Sequence, residues 1–97
     1  MKHITKEEKD SYLREVDSEH RFWVNNGQVI SNMEGLLSIK DMDEGTFTHH
    51  VNKEKNDFYN WVNEIIGDKE LAKGIAKVKT KSTLLKKIQA RLNYLKK

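Results

Sequence analysis

The 97-residue sequence contains no cysteine and no proline. The missing cysteine excludes disulfides, a thiol nucleophile and cysteine-ligated zinc or iron–sulfur centres. With no proline, no Gly/Ser-rich linker, no low-complexity segment and no internal repeat, nothing marks a domain boundary. No apolar run approaches the ~20 residues of a membrane span. The start, Met1 to Glu8, is charged and has no apolar segment behind it, so no signal segment is expected. These absences point to an intracellular, cytoplasmic protein without a membrane partner. Catalytic signatures are missing too. There is no G-x-S-x-G, no phosphate-binding glycine loop and no H-E-x-x-H. Glu54, Asp57 and Glu64 could pair as carboxylates, but such neighbours are common in a chain with fifteen acids and four histidines. The expectation is a protein that is not an enzyme, with no catalytic residue, cofactor or metal.

What is present supports one modest core under a heavily charged surface: 36% of residues are hydrophobic and 34% charged. The net charge of +3 conceals a polarity. All fifteen acids lie between Glu7 and Glu70, and Lys73 to Lys97 holds nine lysines and arginines and no acid. The first 72 residues carry nine positive charges against fifteen negative, a net of −6, and the tail carries +9. Such a tail either docks on an acidic body, through residues such as Asp41, Asp43 and Glu44, or offers a basic surface to an anionic partner.

Local patterns predict a mainly α fold. It is a compact bundle of about five to six short helices with one small β-hairpin at about 22–30. Thr5-Lys-Glu-Glu8 reads as a capping box opening a helix to about Asp17, with Tyr12, Leu13 and Val16 apolar. Asn26-Gly27, between Phe22–Asn25 and Gln28–Ile30, predicts a two-residue type I′ hairpin pairing Val24 with Val29 and Trp23 with Ile30. Ser31-Asn-Met-Glu34 predicts a second capping box, followed by Met33, Leu36, Leu37 and Ile39 or Met42 at helical spacing. Asp43 suits the cap of a short helix carrying Phe47, His50 and Val51. Asn56 or Asp57 opens the clearest buried stripe, Phe58, Trp61, Val62, Ile65 and Ile66, which Gly67 ends. Asp68 then caps a helix holding Leu71, Ile75 and Val78, and Thr80 or Ser82 caps the last, with Leu84, Leu85, Ile88, Leu92 and Leu95. The chain reads as one domain: an N-terminal helix within 1–20, a hairpin and helices over 21–72, and a basic helical segment over 73–97.

The stretch from Phe22 to Ala72 resembles an uncharacterised family of small, chiefly archaeal prokaryotic domains. The resemblance rests on H-H-V-N-x-x-K-N-D-F-x-x-W-V followed by G-D-x-x-L-A. Here these are His49, His50, Val51, Asn52, Lys55, Asn56, Asp57, Phe58, Trp61, Val62, Gly67, Asp68, Leu71 and Ala72. It implies a hairpin, a short helix and the fold boundaries above. It implies no activity, and the tail after Lys73 lies outside it.

Three kinds of candidate site emerge. His49, His50, Asn52, Asn56 and Asp57 are the densest polar cluster, and with Trp61, Gly67 and Asp68 they read as structural residues that cap and pack. A metal site there is the remote alternative: His50 and Glu54 have helical spacing if the helix runs that far, but three or four ligands are needed. Phe22, Trp23 and Ile30, with Leu85, Leu92 and Leu95, form candidate apolar surfaces for a homodimer or an unidentified protein partner. Lys77, Lys79, Lys81, Lys86, Lys87, Arg91, Lys96 and Lys97 form a candidate phosphate-contacting face for DNA or ribosomal RNA. Two functions result. One is a non-catalytic, self-associating interaction domain. The other is a nucleic-acid-associated protein using its basic C-terminal helix.

Overall fold

The computed structural model describes residues 4–97. The charged Met1, Lys2 and His3, part of the segment that argues against a signal sequence, lie outside the described residues. The fold is mainly α with one small antiparallel hairpin. In chain order it comprises α1 (Lys6–Leu13), a short 3₁₀ turn (Ser18–His20), β1 (Phe22–Trp23), β2 (Val29–Ile30), a longer 3₁₀ helix (Glu34–Asp41), α2 (Glu44–His50), α3 (Asp57–Trp61) continued by a π-helical stretch (Val62–Ile66), α4 (Lys69–Ile75) and α5 (Lys81–Leu95). α5 packs along the 3₁₀ helix and against α4, and α4 packs on α3 and its π extension. One continuous apolar cluster runs from Val16 to Leu95. No helix of the described residues is long and apolar enough to cross a membrane.

The expected capping box at Thr5 forms, with Glu8 N–H donating to Thr5 Oγ1 and Thr5 N–H to Glu8 Oε1, both at 3.1 Å. The helix it opens stops at Leu13, not near Asp17. Arg14 turns extended and donates to the Ile65 and Ile66 carbonyls at 2.6 and 3.2 Å, while Val16 N–H reaches Ser31 O at 2.8 Å. Val16 is thus buried beside the hairpin, outside the helix expected to carry it.

The hairpin register differs from expectation by one residue: Phe22 faces Ile30 and Trp23 faces Val29. Val24 N–H donates to Gln28 O at 2.8 Å, leaving a three-residue loop, Asn25 to Gly27. Gly27 takes the positive φ of 96° that such a loop needs at its last position. The cause lies partly outside the hairpin, because Asn25 N–H donates to His50 Nε2 at 2.9 Å. The one-residue slip reassigns the faces. Phe22, Val24 and Ile30 become core, and Trp23 and Val29 turn outward.

The second expected capping box does not form. Ser31 Oγ donates instead to Glu15, and Asn32 Oδ1 takes over the local cap by accepting from Gly35 N–H at 2.8 Å. The helix opened there is 3₁₀, and its apolar spacing explains why. Met33, Leu36, Ile39 and Met42 recur every third residue and are all buried. At 3.0 residues per turn, side chains at i and i+3 eclipse, so this period keeps all four on one line where an α-helix would rotate them apart. Gly35 sits where a Cβ would meet Ile30 Cγ2 at 3.1 Å, so the hairpin and the 3₁₀ helix approach closely there.

α2, α3, α4 and α5 begin at Asp43, Asn56, Asp68 and Thr80, whose side chains accept from Thr46, Tyr59, Leu71 and Thr83 N–H respectively. The π stretch closes when Gly67 N–H donates to Val62 O at 2.8 Å, five residues back. The wider turn leaves Ile65 half-buried while Phe58, Trp61, Val62 and Ile66 face the core.

Two glycines predict opposite responses to one substitution. Gly67 has φ +84°, whereas Gly74 lies within α4 with nothing within 4 Å of an added Cβ. Gly67→Ala should lower stability by about 1 kcal/mol, the left-handed backbone penalty. Gly74→Ala should raise it by roughly 0.5–1 kcal/mol by helix propensity. Urea denaturation midpoints check both.

Candidate functional site

The polar cluster expected around His49 and His50 is built as scaffold. His50 is buried, accepts from Asn25 N–H through Nε2, and contacts Asp57 Oδ2 through Nδ1 at 2.9 Å. Acceptance at Nε2 places the ring proton on Nδ1, which therefore donates to the carboxylate. Both ring nitrogens are occupied, so neither is open to a metal. α2 ends at His50, so Glu54 does not share a helical face with it. His49 is exposed, its ring set edge-on to that of His50. Among the described residues no group of three His, Asp or Glu side chains is arranged to hold a metal ion.

Phe22 stacks on Phe58 with ring centroids 4.7 Å apart and meets His50 and Trp61 edge-on, which fastens the hairpin to α2 and α3. Trp61 Nε1–H donates to His20 O at 2.7 Å. The Asn52 amide ties Thr48 O to Glu54 N–H across the turn after α2. Buried Asn56 accepts from Tyr59 N–H through Oδ1 and donates through Nδ2 to Ile75 O at 3.0 Å, joining the start of α3 to the end of α4.

Most of the expected apolar interface is unavailable to a partner. Phe22, Ile30, Leu92 and Leu95 are buried in the core. The hairpin register explains the first two, and the stripe Leu84, Ile88, Leu92 and Leu95 facing the body explains the others. Leu85 is half-buried. Trp23 remains, 67% exposed, with Val29 opposite it at 38%.

The basic tail divides between docked and open residues. Arg91 is not a surface cation. Its Nε and Nη2 donate to Asp68 Oδ2 and Oδ1 at 2.7 and 2.9 Å, and Asp68 is fully buried. Burial works against the guanidinium charge, but the Asp68 hydrogen bonds and charge outweigh it and raise the Arg91 pKa. Lys96 meets Glu34, and Lys81 donates to Met42 O beside Asp43. The Asp43 carboxyl is held below its ordinary value by the Thr46 N–H, with a smaller contribution from Lys81. Of the acids expected to receive the tail, Asp43 is the one on which a tail cation, Lys81, acts among the described residues. Lys97 lies 5.8 Å from the Tyr94 ring centroid. Lys86 and Lys87 are exposed on the outer side of α5.

The remaining lysines converge on a groove of about 770 Å³ between α4 and the start of α5. Lys69 and Lys73 come from α4, and Lys77 and Lys79 from the link to α5. Tyr59 and Asn63, from α3 and its π extension, line it with them. Among the described residues no carboxylate lines it. Lys69 donates to Asn63 O at 2.7 Å and Lys79 to Asn52 O at 3.0 Å. Neither bond neutralises its lysine, and each ammonium keeps two more donors. The phosphate-contacting face expected from the sequence includes Lys77 and Lys79 but not Lys69 or Lys73. Lys73 lay in the counted basic run, whereas Lys69 sits between Asp68 and Glu70, and only folding carries it to the other lysines. No protein-family profile, curated protein or solved structure matches the chain.

Asp68→Ala should cost about 3–5 kcal/mol, because it strands a half-buried guanidinium and removes the α4 cap. Arg91→Met with Asp68→Asn should recover part of that loss in urea denaturation. Burial acts to raise the Asp57 carboxyl, but hydrogen bonds from His50 and Lys55 prevail and hold it below its ordinary 3.8. Its contribution to stability is therefore complete above that value and disappears as pH falls through the lower folded value. The deficit of Asp57→Asn relative to wild type should be full at pH ~7 and close below pH ~4.

Proposed function

We propose that this chain is a non-catalytic domain that binds the phosphates of nucleic acid in the lysine groove between α4 and α5. The observation that carries the reading is the groove itself: Lys69, Lys73, Lys77 and Lys79 line it with no carboxylate among them. The charged side chains lining it are all positive, in a chain whose other tail cations are partly spent on internal partners. Lysines gathered in this way neutralise phosphates and release condensed counterions without reading base sequence. The site is displaced from the α5 face suggested by the sequence, because Arg91 on that helix is committed to Asp68.

Binding to mixed-sequence DNA and RNA, measured by fluorescence anisotropy across a salt series, tests it. With four phosphate contacts to a single strand, the log–log salt slope should be near ~−3. Lys73→Glu with Lys77→Glu should abolish binding, and Lys86→Glu with Lys87→Glu should only weaken it. No binding at low salt, or loss confined to the Lys86 and Lys87 variant, would sink the groove as the site.

A separate observation favours self-association as a second reading. Trp23 and Val29 form an outward cross-strand pair, the two large hydrophobic side chains most exposed among the described residues. A pair of hairpins meeting through this small face would give an isologous dimer that forms only at high concentration. Light scattering of wild type and Trp23→Ser over a concentration series distinguishes dimer from monomer.

A further inference from the structure

We propose that the groove takes single-stranded nucleic acid in preference to duplex, with an unpaired base stacked on Tyr59; this rests on the nucleic-acid reading above. The groove is an open depression to which several elements contribute. α4 supplies Lys69 and Lys73, the link supplies Lys77 and Lys79, and the first turn of α5 adds Thr83 beside its cap Thr80. Tyr59 lies among these cations, half-buried. Its position is set from below. Tyr59 N–H is held by the Asn56 cap at 3.0 Å, and its neighbour Phe58 is fully buried. The ring packs against the hydrophobic core where it borders the groove, so it is supported from one side.

Tyr59 decides between the two forms of nucleic acid. In a duplex both faces of every internal base are covered by its neighbours, so an aromatic ring in a groove gains nothing from it. In a single strand the base faces are free, and proteins that bind such strands combine a basic groove with aromatic side chains on which bases stack. Asn63 lines the same groove. Its side-chain amide lines the groove half-buried, with no side-chain hydrogen bond to another of the described residues. In the proposed complex its amide would meet the edge of a base stacked on Tyr59. Lysines without arginine suit sequence-tolerant binding, because an ammonium is a point charge and lacks the planar fork that reads guanine or grips phosphate bidentately.

The test compares a short oligothymidylate, an abasic strand of the same length and a duplex of the same length by fluorescence anisotropy. Wild type should bind oligothymidylate about tenfold more tightly than the abasic strand, which keeps the phosphates and loses the bases. It should bind the duplex more weakly than oligothymidylate. Tyr59→Leu should lose about tenfold on oligothymidylate with the salt slope unchanged, and Tyr59→Phe should retain wild-type binding. If Tyr59→Leu unfolds, the abasic comparison on wild type carries the test alone. Equal binding of abasic strand and oligothymidylate, or duplex binding as tight as single strand, overturns the single-strand assignment. If Lys73→Glu with Lys77→Glu still abolishes that binding, phosphate recognition stands without it. No binding to any of the three probes overturns both.

Discussion

The buried Asp68–Arg91 pair ties α4 to α5 beside the continuous apolar core. Asp68 caps α4 and receives both arms of a guanidinium from the middle of α5, all from a position with no solvent exposure. Burying such a pair costs roughly what its attraction returns, so its value lies more in geometry than in net stability. A bidentate contact has one good arrangement, whereas apolar surfaces slide past one another at little cost. Here that arrangement fixes where α5 crosses α4. The guanidinium also lies 5.3 Å from the Tyr94 ring centroid and 5.9 Å from that of Tyr12, which links the same pair to α1.

Polar residues serve as joints elsewhere too. His50 ties the hairpin loop to α3 through Asn25 and Asp57, and Asn56 ties α3 to the end of α4. In a chain with no disulfide and a modest core, such directional bonds choose among packings of similar apolar area. The cluster that most resembles a ligand site in the sequence is thereby accounted for. Its side chains face one another and the backbone, not a cavity.

Legibility in the sequence varied with the range of the interaction. Helix caps at Thr5, Asp43 and Asp68, and the αL stop at Gly67, depend on groups within a few residues and were legible. Asn56 and Thr80 were each legible only as one of two candidates, beside Asp57 and Ser82. The hairpin register was not, because the Asn25 N–H is claimed by a histidine 25 residues away. The 3₁₀ helix was legible in principle. Met33, Leu36, Ile39 and Met42 step strictly by three, but Leu37 between them completes an α-like pattern and hides the period. The interface residues failed for a related reason: an a/d rhythm in the last helix has the same spacing whether it meets a partner or its own body.

Charge polarity posed a choice between a tail that docks and a tail that stays open, and the fold divides it residue by residue. Arg91, Lys81 and Lys96 turn inward or along the surface to Asp68, Met42 and Glu34. Lys77 and Lys79 remain at the groove, where Lys69 and Lys73 from α4 join them. The division follows from chemistry as much as position. The planar guanidinium is the cation best suited to a buried bidentate partner and took the buried acid, leaving ammonium groups on the surface. The charge left outside is almost purely lysine, able to attract phosphates strongly and to distinguish sequences hardly at all. On the proposed reading, selectivity at this groove comes from something other than its charges, and Tyr59, Asn63, Thr80 and Thr83 are the uncharged polar side chains lining it that would meet a base.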